Sequence, residues 1–207
     1  INMVEKIYKM LLKKYGRQNW WPISEKFRPP ELEICIGTIL TQNTNWKNVE
    51  KALENLIDAK KLTTESIASC PLPTLETIIK SSGFYKQKAE RLRDFCKFIN
   101  DFEGDFYRDI TREKLLAIGD IGPETADSIL LYACGKPYFV VDAYTRRMFS
   151  RLGLIKGDED YEILRGFFES RLPEDVELYK EFHALIVEHE KMNSRSLDGW
   201  QKGITLI

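Results

Sequence analysis

The 207-residue chain has little with which to staple itself or to span a membrane. Its four cysteines, Cys35, Cys70, Cys96 and Cys134, lie far apart with no C-x-x-C pair. That excludes a disulfide framework and a cysteine zinc site, and leaves four small buried hydrophobes as the reading. No window approaches the roughly 18 apolar residues of a membrane helix. The opening Ile1-Asn2-Met3-Val4-Glu5-Lys6 lacks the charged start, apolar stretch and small-residue cleavage site of a secretory signal. The expectation is a cytoplasmic protein with no membrane partner. No run alternates long enough to argue a sheet, and there is neither a low-complexity stretch nor a solenoid repeat. Net charge is missing too: 31 Lys and Arg stand against 32 Asp and Glu, for a total of -1. That argues weakly against binding nucleic acid by bulk electrostatics and says nothing about a local basic face.

What is present is helical periodicity. Val4, Ile7, Tyr8, Leu11, Leu12 and Tyr15 recur at three- and four-residue steps, and Gly16 follows as a C-cap glycine would. Pro29-Pro30 opens a second helix reaching Thr41, apolar almost all round through Leu32, Cys35, Ile36, Ile39 and Leu40, as a central buried helix should be. Asn43 and Asn45 offer caps for a third, from Trp46 to about Ile57. Pro71, Pro73 and Ser81-Ser82-Gly83 punctuate short helices around Thr74 to Lys80. A longer helix is predicted from Lys86 to Asn100, with Leu92, Phe95, Cys96 and Ile99 inward. Others are predicted at Thr111 to Ile118, Pro123 to Cys134, Ala143 to Leu152, Tyr161 to Arg171 and Val176 to Met192. The fold class is all-α, with about ten short helices. The length fits one large domain or two small lobes that bury about 70% of the unfolded surface.

Thr111 to Gly153 carries the most information. A short helix leads to the glycine-bracketed turn Gly119-Asp120-Ile121-Gly122, and Pro123 takes the first position of the next helix. An apolar strand-like run, Phe139-Val140-Val141, then ends at Asp142. Glycines leave backbone N–H groups unshielded and a helix start adds a positive dipole end, so such a turn can hold a phosphate without a basic side chain. Taken alone, the turn fits a plain helix-turn-helix corner equally well.

Taken together, the parts are more specific. Ile118 to Ala126, the helix to Cys134, Gly135-Lys136-Pro137, Val140-Val141-Asp142 and Arg146-Arg147 resemble a helix-hairpin-helix, a Gly/Pro-rich loop and a catalytic Asp, the signature of the endonuclease III superfamily of DNA glycosylases. Ile39-Leu40-Thr41-Gln42-Asn43-Thr44 resembles the family loop whose Gln fills the hole left by an extruded base. Gly83-Phe84-Tyr85-Lys86-Gln87-Lys88-Ala89 resembles the loop bearing the wedge residue. The resemblance covers roughly Glu31 to Gly153, with weaker similarity around His183 to Val187. It implies a six-helix barrel lobe over residues 29–139, with the helix-hairpin-helix at 111–134. Residues 1–28 and 140–207 form a second helical lobe, with a DNA- and base-binding cleft between the two. It implies base-excision repair on double-stranded DNA carrying damaged bases, by a monomer.

Three departures narrow the member. Bifunctional members carry a Lys two positions after the second hairpin glycine; here that place is Glu124, which cannot be an amine nucleophile. The resemblance therefore implies base release without strand cleavage, although Glu124 also reads simply as a first-turn acid stabilising a helix start. Many relatives end in four cysteines holding a 4Fe–4S cluster. None follows Cys134, and about Asn193 stands where the first would be, so no cluster is expected. Finally, Trp20-Trp21-Pro22 and Trp46 crowd the front, and with Glu124 they resemble the 3-methyladenine DNA glycosylase III branch, in which aromatic residues sandwich the flipped base. Any single Trp fits a core as well as a pocket.

The resemblance implies a role for each position. Asp142 is the catalytic carboxylate and doubles as a helix N-cap; Trp46, one of Trp20 or Trp21, and Glu124 contact the base. Phe84 is the wedge and Gln42 the plug. DNA is held by the backbone of Gly119, Ile121, Gly122 and Pro123, by Thr145 and Arg146, and by a local basic excess, Lys86, Lys88, Arg91, Arg93 and Lys97 against Glu90 and Asp94. The carbonyls of Leu116, Ile118 and Ile121 are candidates for a Na+ or K+ ion; no other cofactor is expected. His183 and His189 receive no role. Two alternatives stay open: a glycosylase for uracil, thymine or an oxidised base with lyase activity, and a non-catalytic module that uses the hairpin as a phosphate clamp.

Overall fold

A computed structural model describes residues 2–193. Among them are α1 (Met3–Tyr15), α2 (Glu31–Leu40), α3 (Trp46–Asp58), α4 (Thr64–Ala68), α5 (Leu72–Ile78) and α6 (Tyr85–Asp101). They are followed by α7 (Phe106–Asp109), α8 (Arg112–Leu116), α9 (Pro123–Ser128), α10 (Ala143–Arg151), α11 (Tyr161–Glu169) and α12 (Val176–Asn193). No strand occurs among the described residues, and none of their helices is long and apolar enough to cross a membrane. Two of the helices escape the periodicity. α4 and α7 are single turns, too short to show a repeat, and each is started by a side-chain cap. Thr63 and Ser66 form a capping box, and Asp105 accepts from the Arg108 N–H.

The residues fall into two compact units, Trp21–Gly135 and a second made of the chain up to Trp20 with that from Lys136. In the first, α2 is the axis. Every residue from Leu32 to Leu40 is buried, and α3, α6, α9 and the π-helical turn Ile129–Ala133 pack around it. Each fully buried Leu or Ile there contributes about 1.5–3 kcal/mol. The unit starts ahead of the expected Pro29 because the preceding segment is tied to α2. The Ser24 N–H and hydroxyl both donate to Glu33, at 2.9 and 2.8 Å, and Trp21 lies against Gly37.

The other unit is built on aromatic rings. Phe139 stacks on Phe168 with centroids 4.5 Å apart and meets Tyr179 and Phe182 edge-on; Phe149 closes on Phe168 at 4.7 Å. α1 returns to α12 through Tyr8 on Phe182, and α10 packs on the same helix. Glu190, 1% exposed, accepts from Arg147 and Arg151 of α10. His189 lies 2.8 Å from the Tyr15 hydroxyl; burial first, then Lys14, pushes its pKa down to about 4, so it is a neutral structural ring.

The two helices of the hairpin are locked by one ion pair in the first unit. Arg112 of α8 donates to Asp127 of α9 at 2.6 and 3.2 Å, and the Asp127 side chain is fully buried. Removing one member of such a pair leaves a desolvated charge, so Arg112→Ala should cost about 3–5 kcal/mol. Urea unfolding checks this, and a loss below about 1 kcal/mol contradicts it.

Candidate active site and DNA-binding elements

The run Phe139-Val140-Val141 is irregular and buried, and its backbone is tied down. The Phe139 N–H donates to Glu169 at 3.0 Å while its ring sits in the aromatic stack. Asp142 therefore emerges from a fixed base at the start of α10. Its Oδ1 accepts the Thr145 N–H at 2.7 Å and the Thr145 hydroxyl at 2.9 Å. Its Oδ2 lies 3.2 Å from Nε2 of His183 on α12, and the side chain is 14% exposed. Burial pushes the carboxyl pKa up, but the field and hydrogen bond of His183 and the two bonds from Thr145 outweigh it, leaving the pKa below the usual value. Asp142 is thus both N-cap and a carboxylate held ionised. Thr145 corrects an expectation: it is fully buried and engaged with Asp142, so it offers DNA nothing. Arg146 is also engaged, through Nη1 to the carbonyls of Gly157 and Glu159, where it shapes the following loop.

Trp21, Trp46 and Tyr132 form an edge-on cluster, with Trp21 5.1 Å from Trp46 and 5.3 Å from Tyr132. Gly37 makes room for it: a Cβ there would lie 3.1 Å from Trp21 and 3.4 Å from Trp46. A glycine inside a helix costs about 1 kcal/mol against alanine, so close approach is what its presence serves. Trp46 is oriented by donating Nε1–H to Glu50 at 2.9 Å. Trp20 belongs to the other unit, where its ring meets His183 edge-on at 6.1 Å and the Lys191 ammonium lies over it. Glu124 is exposed in the first turn of α9.

In the hairpin turn the left-handed residue is Asp120, at φ 64°; Gly119 and Gly122 are not in that region. A Cβ on either glycine would meet nothing within 4 Å. Nothing inside the protein therefore requires glycine there, and the bare backbone faces outward for close approach from outside. Two expected backbone donors are corrected. The Ile121 N–H already donates to the Ile118 carbonyl at 3.2 Å, and Pro123 has no N–H, so its part is to preset the helix start.

Phe84 is 64% exposed and sits in the left-handed region at φ 46°, directly before α6. Such a conformation costs a non-glycine residue about 1–2 kcal/mol. Behind it, Lys88 corrects another expectation. It is 1% exposed, and its ammonium donates to the carbonyls of Leu40 at 2.8 Å and Ser82 at 2.6 Å. Rather than meeting DNA, it ties the end of α2 to the loop before Phe84, satisfying two carbonyls that helix ends leave open. One turn on, Arg91 donates to Gln42 Oε1 at 2.7 Å and pairs with Asp120 at 3.3 Å, while Gln42 Nε2 donates to Thr125 at 3.0 Å. Of the expected basic patch, Lys86 and Lys97 are exposed.

A hairpin with outward bare backbone, an ionised carboxylate on a buried cap and a strained exposed aromatic before a long helix form a recognisable set. The model of the HhH-GPD superfamily base excision DNA repair protein matches residues 36–174. The chain belongs to this superfamily. It is 48% identical over 197 residues to a Methanocaldococcus jannaschii protein described as a candidate DNA repair glycosylase, covering 91% of this chain and 87% of that one. Among solved structures it is similar to H. pylori 3-methyladenine DNA glycosylase (MagIII) bound to 1,N6-ethenoadenine, at 35% identity and a TM-score of 0.79, covering 92% and 98% of the two chains. A non-covalent endonuclease III–DNA complex shares the fold at 22% identity and a TM-score of 0.74, covering 90% of this chain and 85% of that one.

The sequence reveals only part of the side-chain pairings in the two units. His183 at Asp142, Thr125 at Gln42 and Tyr132 at Trp21 were missed; the available signal was a polar or hydroxyl group on an otherwise apolar helix face, which burial makes costly unless it has a partner. On α12 the Asn193 amide donates to the His189 carbonyl at 2.7 Å.

Two outcomes follow from the loops. Gly119→Ala and Gly122→Ala should leave stability unchanged or raise it by about 0.4–1 kcal/mol, yet weaken binding to duplex DNA; unchanged affinity in a fluorescence titration contradicts the outward-backbone reading. Burial, followed by the Arg91 charge, lowers the Lys88 pKa to about 8, below its unfolded value. The unfolded chain thus binds the extra proton above about pH 8, and stability from this group rises with pH toward about 10.4. The wild-type rise should be absent from Lys88→Met in urea melts across that window.

Proposed function

We propose that the chain, acting as a monomer on double-stranded DNA, is a monofunctional glycosylase that releases N-alkylated purines such as 3-methyladenine. The ionised Asp142 carries this reading. Loss of the base builds positive charge on the deoxyribose as the C1′–N bond breaks and its electron pair leaves with the purine. A fixed carboxylate stabilises that charge, orients the water that adds to C1′ and accepts the proton that this water loses. The cost of turning the base out of the stack, a few kcal/mol, is smallest for a damaged base, and an exposed Phe84 and an anchored Gln42 suit the roles of wedge and plug.

The lesion class rests on aromatic faces. An N-alkylated purine is cationic, which weakens its bond to the sugar and favours indole faces by about 0.5–2 kcal/mol. Trp46 with Trp21, Trp20 in the other unit, and the exposed Glu124 all suit such a base. The 35% identity to MagIII supports the same class. Glu124 at the lysine position of bifunctional members supports the absence of lyase chemistry. For the hairpin we propose that the carbonyls of Leu116, Ile118 and Ile121 hold a Na+ or K+ ion. The Ile121-to-Ile118 bond closes the turn that carries them, and carbonyl oxygens suit such ions.

Release of 3-methyladenine or 7-methylpurines from alkylated DNA by the purified protein is the expected result. Efficient release of only another lesion base would move the assignment to the uracil, thymine or oxidised-base reading. Borohydride should trap no covalent adduct, and an adduct would overturn the monofunctional assignment. Asp142→Asn should abolish release and still bind DNA, whereas a pure binding module would be unaffected.

A further inference from the structure

The Asp142 carboxylate is held asymmetrically. Oδ1 has two donors, the Thr145 N–H and hydroxyl, one for each of its in-plane lone pairs. Oδ2 is the oxygen with capacity left for a water or a developing charge, and its neighbour in the protein is His183. An ionised carboxylate can only accept, so His183 Nε2 must carry the proton. His183 is 6% exposed on a buried face of α12 and cannot swing away. Its ring also meets Trp20 edge-on, at 78° and 6.1 Å. One imidazole thus touches the carboxylate and one of the aromatic residues assigned to the base.

We propose that His183 is a positioning residue for base release, its Nε2–H fixing the direction of Asp142 Oδ2 while its ring ties that carboxylate to Trp20. The inference rests on the reading of Asp142 as the catalytic carboxylate. It assigns His183 no contact with DNA: loss of its N–H slows the chemical step and leaves binding in place.

The test compares His183→Phe, which keeps a ring and removes the donor, with His183→Asn, which keeps an N–H donor. Single-turnover excision from alkylated duplex is read beside affinity for a duplex carrying an abasic-site analogue. A lost hydrogen bond to a charged group predicts a rate about 10- to 100-fold lower in His183→Phe, with affinity within about threefold, and partial recovery in His183→Asn. Wild-type rate in His183→Phe overturns the proposal. So does a His183→Asn rate as low as that of His183→Phe, which would leave only ring packing. An active Asp142→Asn protein would instead show that the carboxylate reading had failed. Should His183→Phe not fold, nitrogen NMR of the wild-type chain decides. With only two histidines in the sequence, His189→Gln assigns the signals. A protonated Nε2 that shifts in Asp142→Asn supports the proposal, and an unprotonated one overturns it.

Discussion

A carboxylate can stabilise a developing sugar cation only while it is charged, and it does so best where water is scarce; those two demands pull in opposite directions. Asp142 is a carboxylate that is both largely buried and held ionised. The rings of Phe139, Phe168, Tyr179 and Phe182 pack into a buried floor, and the Phe139 N–H anchors the approach run to Glu169. The start of α10 supplies a helix N-terminus and two Thr145 donors, and α12 supplies His183. Burial is the largest single influence and works against the anion, but His183 and the two Thr145 donors together outweigh it, so the carboxyl pKa lies below its usual value. The return of α1 onto α12 and the grip of Glu190 on two α10 arginines keep the two supporting helices in place.

In the other unit the hairpin turn leaves bare backbone facing outward and Phe84 stands exposed before α6, two features that carry no formal charge. A net charge of -1 is therefore no obstacle to membership of a superfamily of DNA repair proteins. Contacts through oriented N–H groups add no formal charge, so a salt slope can come only from exposed cations, Lys86 and Lys97 among them. Buried Lys88 and the half-buried Arg112 and Arg91 serve the interior: Lys88 holds carbonyls, Arg112 holds Asp127, and Arg91 joins Gln42 to the hairpin turn.

The chain displayed its long helices and its motif openly because both depend on local spacing. The periodic apolar stripe of α1, the all-round apolar α2 and the Asn45 and Asp142 caps needed no tertiary information. Single-turn α4 and α7 were illegible, since four or five residues cannot repeat. The candidate site divided in the same way. Gly119, Gly122, Phe84 and Asp142 stand in a recognisable order along the chain, whereas His183 reaches Asp142 across 41 positions and Thr125 reaches Gln42 across 83. Lys88 is illegible for a related reason: in a charged stretch a lysine reads as solvent-facing unless the carbonyls it satisfies are known, and those belong to α2 and the loop before Phe84.

The anchoring of Gln42 has a consequence for information. An amide side chain in an unconstrained loop can turn over, exchanging its oxygen for its nitrogen, and so match opposite patterns of partner. Arg91 has only donors to offer, so Oε1 must face it, and Nε2 faces Thr125. The amide is written in a single sense. Whatever comes beside it meets one remaining lone pair and one remaining N–H in fixed order, so this side chain acts as a stencil and any adjustment must come from the neighbour.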